Sequence, residues 1–269
     1  MSLGGFRLRR ALAVFWKDFL DLTKNKGLIA SLLALPAVLV VVPAGVVYGY
    51  VRNPHDPALR TMALYYEPAL DASVNAARFL VDKALTDWFS LYLVMPVFVP
   101  ILISSHAVAG EKERRTLEPL LASPISAAEL VVGKSLASLV PAYGISLVAF
   151  ALMCVAVDWV AWPLAQELVM PNGMWLFGVV VIAPLFAFFG NGVAVLISAR
   201  VGDARLAQQL SGLVVLPLVG LAAGQIAGFL RAGTGYYALQ GAIVLVADVV
   251  LIIAAVRLFD RERLISRWT

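Results

Sequence analysis

Six apolar runs divide this chain: 28–51, 88–109, 131–157, 174–199, 207–230 and 236–259. Each is about the 20 residues that a bilayer-spanning helix needs. In hydrocarbon every backbone N–H and C=O must be satisfied within its own segment or a closed barrel, and runs of this length and continuity fold as helices. Composition agrees, with 61% hydrophobic and 14% charged residues against roughly 25% charged in a soluble domain. The predicted fold class is all-α integral membrane, a single transmembrane domain over 1–269 with six spans. Pro36, Pro43, Pro96, Pro100, Pro141, Pro184 and Pro217 fall inside the runs, where kinks rather than breaks are expected.

Lys and Arg placement sets the expected orientation. Of 21 such residues, only Arg52, Arg60, Arg78, Lys83 and Arg231 fall in the connections after the odd-numbered spans. Both termini are therefore expected in the cytoplasm. The basic N-terminal stretch also carries Asp18 and Asp21 ahead of an overlong apolar run, which argues against a cleavable signal. Within 5–26, Leu12, Phe15, Trp16 and Phe19 repeat at helical spacing, with Arg9, Lys17, Asp21 and Lys24 off that stripe. The pattern predicts an amphipathic helix in the membrane interface, touching lipid headgroups. The outer loop 52–87 opens with Asn53-Pro54-His55-Asp56-Pro57, read as turn. A short amphipathic helix on the outer face follows from Leu70, through Val74, Ala77, Val81 and Trp88. Trp159, Trp162 and Trp175 flank the next outer connection as an expected aromatic belt. Cys154, the lone cysteine, and the isolated His55 and His106 carry no metal-ligand spacing.

Between spans two and three stands GEKERRTLEPLLASPISAAELVVGKS, residues 110–135. Its last three residues imitate a phosphate-binding loop. That loop requires a glycine five positions before Gly133, where this chain has Ala128. No nucleotide is expected to bind here, and Lys134 is read as snorkelling from the end of span three. Glu111–Arg115 and Arg114–Glu118 are i,i+4 charge pairs. Ser123-Pro124 marks a turn, and Ser126 with Glu129 forms a capping box stapled by Ile125 and Leu130. The segment 110–130 thus reads as helix, turn, helix: a compact elbow.

The run Gly110 to Glu118, then Leu121 to Ser126, Glu129-Leu130 and Gly133-Lys134, resembles the signature of ABC-2 type transporter permeases. The ending Arg257 to Leu264 is similar to the usual end of that family, and Pro119 departs from its commoner leucine. The resemblance implies an exporter-type fold in a plasma (bacterial inner) membrane. It also implies that the elbow docks on a separate ATP-binding-cassette subunit. Two copies of that ATPase would act on two permeases, a homodimer or heterodimer, with ATP and Mg2+ bound by the ATPase and no cofactor or nucleic acid on this chain. Glu111, Glu113, Arg114, Arg115, Thr116 and Glu118 are then the expected coupling residues.

Gly220, Gly224 and Gly228 form overlapping G-x-x-x-G motifs in span five, and Gly45 and Gly49 a third in span one. Such strips let helices approach closely, within one subunit or between two. Asp248, in the middle of span six, would cost about 2.5–3.5 kcal/mol alone and charged in the bilayer. Asn191, Gln208, Gln209 and Gln225 are its candidate polar partners. A stand-alone ion-coupled carrier using Asp248, and a mechanical or scaffold component driven by an ATPase, are the alternative readings. No nucleophile elbow or paired intramembrane aspartates suggest an enzyme. The apolar spans favour lipids, hydrophobic drugs or peptides over sugars as cargo.

Overall fold

The computed structural model describes the backbone of residues 7–113 and 125–265, and the side chains of 7–105, 125–126 and 128–255. Among these residues the chain is all-helical. Six stretches are long and apolar enough to cross a membrane: Lys26–Arg52, Ala76–Ser105, Ala128–Ala165, Gly173–Arg200, Ala204–Ile226 and Thr234–Ala255.

Helix α1 (Leu8–Lys24) is followed by α2 (Lys26–Arg52), which runs unbroken through Pro36 and Pro43. Two helices then occupy the region before the second apolar run. The first, α3 (Pro57–Tyr66), starts where the sequence suggested only a turn, because the Asp56 side chain accepts the Ala58 N–H and Pro57 sits at the first helical position. That is an N-cap followed by a proline already locked near helical φ. The second, α4 (Ala76–Tyr92), does not lie on the surface as the sequence suggested. It enters the bundle and joins α5 (Val94–Glu113) to make span two, so this span begins well before Trp88. Its charges mislead a hydropathy reading: Lys83 and Asp87 pair one turn apart, which lets both enter. Between α3 and α4, the Asp71 carboxylate accepts the Ser73 N–H and hydroxyl. Those bonds hold its pKa below the usual carboxylate value. The Arg60 guanidinium holds the same turn by the carbonyls of Leu70, Asp71 and Val74.

Span three is the long α6 (Ala127–Ala165), continuous through Pro141 and Pro163. Span four comprises α7 (Gly173–Phe177), a π-helical turn (Gly178–Ile182) and α8 (Ala183–Arg200). The π turn lies just before Pro184, whose ring cannot accept a regular preceding turn. Span five is broken into α9 (Ala204–Gly212) and α10 (Val215–Ile226), and α11 (Thr234–Ile265) supplies span six.

Span two is the centre. In its most apolar stretch 83% of residues are buried, against 17% in span five and 11% in span six. Helix α5 packs most extensively on α8, and α2 on α6. The close approach of α5 and α8 is made at Gly190, where a Cβ would overlap the Val97 carbonyl. At Gly178 the missing side chain admits the ring of Phe89. Phe89 meets Trp175 at 4.8 Å and Tyr237 at 4.6 Å, both edge to face, an arrangement aromatic quadrupoles favour. Trp175 is therefore fully buried in the core rather than in an aromatic belt, whereas Trp159 and Trp162 are exposed.

Candidate functional site

Two polar assemblies stand out. The first is at the end of the bundle where α1 meets the start of α6, next to the elbow. The capping box is formed: the Glu129 N–H donates to Ser126 Oγ at 3.2 Å, and the Ser126 N–H donates to Glu129 Oε2 at 2.7 Å. The other carboxylate oxygen, Oε1, accepts the Arg7 N–H at 2.7 Å, and the Arg10 guanidinium lies 3.8 Å from Oε2. One fully buried carboxylate thus caps two helices, α1 and α6, from segments 122 residues apart.

One turn further along, α1 crosses α6 at Gly133. A Cβ there would stand 2.5 Å from the Ala11 carbonyl oxygen and 2.7 Å from Val14 Cβ. The next residue, Lys134, does not snorkel. Its ammonium is buried and lies 3.3 Å from Asp18 Oδ2, because α1 covers this turn of α6. Ser135 accepts a hydrogen bond from Asn191 Nδ2 at 3.1 Å. Gly133-Lys134-Ser135 is accordingly a helix-crossing motif: each residue serves interhelical packing. The sequence carried a sign of this. Ala11, Val14, Asp18 and Leu22 share one face of α1, and a carboxylate on a buried face needs a cationic partner.

The expected coupling residues Arg114, Arg115, Thr116 and Glu118 lie outside the described residues. Glu111 and Glu113 fall on the last turn of α5, which continues as helix past the apolar run. Their side chains, with that of His106, are likewise outside the described set.

The second assembly is inside the bundle. Asn191 Oδ1 accepts from Ser104 Oγ and Ser138 Oγ, each at 2.7 Å. With Ser135 this ties spans two, three and four by one amide. Gln225 lies in a separate node near the opposite end, where its Oε1 accepts from Ser90 Oγ at 2.6 Å. Asp248 is buried, and neither oxygen has a hydrogen-bond partner among the described residues. Among the described residues no hydrogen bond joins Asn191, Gln225 and Asp248 to one another.

Of the glycine strip, Gly220 has no heavy atom within 4 Å of a built Cβ, and Gly224 would meet only Leu230 of its own hairpin. Gly228 lies beyond the end of α10 at φ 78°, terminating the helix rather than lining it. Gly45 and Gly49 also face open space. The glycines whose Cβ would press on another helix of this chain are Gly133, Gly178, Gly190, Gly192 and Gly241, none of which forms a G-x-x-x-G motif.

A short charged connection leads into α6, and α6 is clamped to α1 by a shared carboxylate, a glycine crossing and a buried ion pair. The family model described as ABC-2 family transporter protein matches residues 12–259 of the sequence. No curated protein matches it.

Proposed function

The chain belongs to the ABC-2 transporter family, and from that premise we propose that it is the permease subunit of an exporter powered by a separate ATPase. In this reading the elbow end faces the cytoplasm, as do both termini, and α1 lies along the membrane interface. Two permeases and two ATPase chains form the working unit, with ATP and Mg2+ held by the ATPases. The elbow residues Glu111, Glu113, Arg114, Arg115, Thr116 and Glu118 receive the motor's displacement.

The observation that carries the reading is the Glu129 carboxylate, which joins the exit of the elbow to α1. A displaced elbow therefore moves α6 and α1 together, whereas a solvated loop would absorb the motion. The test is co-purification with a candidate ATP-binding-cassette ATPase, followed by charge reversal at Arg114 and Glu118. ATP hydrolysis should lose its dependence on the permease while the wild-type complex keeps it. Failure of any nucleotide-hydrolysing chain to bind would end the proposal.

A second reading rests on Asp248, a buried carboxyl without a partner among the described residues. It makes the chain an ion-coupled carrier. Liposomes containing this protein alone should then show flux driven by an ion gradient, and an inert preparation rejects it.

A further inference from the structure

At the end opposite the elbow, span five packs on α4 and is tied down by a set of directional contacts. The hydroxyls of Tyr65 and Tyr66 donate to the carbonyls of Ala227 at 3.2 Å and Ile226 at 3.0 Å. These carbonyls are left over where the helix ends. The chain turns away through Gly228, whose N–H bonds to the Gln225 carbonyl, while Phe229 and Leu230 both donate to the Gly224 carbonyl. Directly below, Ser90 donates to the Gln225 side chain. The Tyr237 hydroxyl lies 3.4 Å from the same oxygen and donates to the Thr86 carbonyl at 2.7 Å. Spans two, five and six thus meet at one amide, and α3 sits over it. Lys83 stacks over the Tyr66 ring at 4.6 Å, and Arg231 faces Glu67 at 3.8 Å across the rim.

Apart from its packing on α4, this end buries little of its own surface. Within α10 only Ala222 and Gln225 are buried, while Leu216, Val219 and Ile226 are exposed. The hydrogen bonds from Tyr65 and Tyr66 lie at an exposed edge, where water can take over each of them at modest cost. The closed arrangement also leaves Gln225 Nε2 and Asp87 Oδ1, both buried, without partners among the described residues. Wetting on opening would satisfy both atoms. A contact set that is weak when closed and better solvated when open is suited to release.

We propose that α3 and the Ser90–Gln225–Tyr237 node form a releasable clasp on the end of span five, with Tyr66 and Gln225 as the residues that position this span during transport. The link to transport rests on the permease reading; the clasp itself does not. Two measurements test it. The first uses the chain alone in phospholipid nanodiscs, in a Cys154→Ser background with spin labels at Glu67→Cys and Arg231→Cys. Pulsed electron resonance should give a short distance and a minor longer one. The longer population should grow roughly threefold to tenfold when Tyr66→Phe removes one hydroxyl bond, and further with Gln225→Leu. A single distance, unchanged by either substitution, overturns the clasp. The second bridges the same two cysteines with a short reducible bis-thiosulfonate in the complex with its ATPase. Permease-dependent ATP hydrolysis should fall to the level of the ATPase alone and recover on reduction. Full hydrolysis in the bridged complex overturns the requirement for opening. Absence of any ATPase partner removes the proposed function but leaves the spin-label result to decide the clasp.

Discussion

In span four, a Cβ on Gly190 would collide with the backbone of span two; in span five, a Cβ on Gly220 would meet no heavy atom. Both glycines sit in apolar helices, and span five has the more regular spacing. Between helices in a bilayer, association rests on close packing rather than on hydrophobic transfer. A glycine therefore matters only where a neighbouring backbone occupies the space its side chain would take. Span four is joined to span two by such contacts; the α10 half of span five, packed on α4, is held where it ends by hydrogen bonds. One contact is set by backbone approach; the other depends on bonds that water can replace.

The largest effect expected along this contrast is at Gly190. Substitution Gly190→Leu should prevent recovery of folded protein, and Gly190→Ala should cost about 1–3 kcal/mol by overpacking, read as a shift in denaturant unfolding in detergent. If Gly190→Ala unfolds like wild type, α5 and α8 do not approach as described. Next comes the elbow end. Lys134→Met leaves Asp18 facing a largely buried site and should destabilise by about 2–4 kcal/mol, whereas Lys134→Met with Asp18→Leu should recover most of the loss. Equal losses in the single and double variants would show that the pair is not the fastening. Glu129→Ala should cost about 1–2 kcal/mol as a lost cap and detach α1, seen as faster amide exchange over residues 8–24. The smallest effect belongs to span five. Gly220→Leu should change protomer stability by less than about 0.5 kcal/mol. A fall in dimer fraction with unchanged protomer stability would place the strip on a second copy and sharpen the comparison.

Much of this was legible before any coordinates. The six spans follow from run lengths, and the Ser126–Glu129 box from four residues read in order. Helix α3 was legible too, in Asp56-Pro57, but the surrounding Asn-Pro and His-Asp pairs read more simply as turn. The start of span two was hidden because Asp82, Lys83 and Asp87 count as three charges in a hydropathy window, although two of them pair. The candidate site was legible only in part. The Ser126–Glu129 cap was visible, whereas the second use of Glu129, as a cap for α1, joins segments 122 residues apart.

By itself, the sequence determined quantities that depend on neighbours along the chain: span number and the Ser126–Glu129 cap. Tertiary structure alone decided which faces meet. It made Gly133-Lys134-Ser135 a helix crossing, drew Trp175 into the core, gave Asn191 and Gln225 different serine partners, and left Gly220 unopposed. The physical reason is range. Hydrophobic length and capping are satisfied within a few residues, whereas packing and ion pairing in a bilayer depend on contacts between segments that no local pattern specifies.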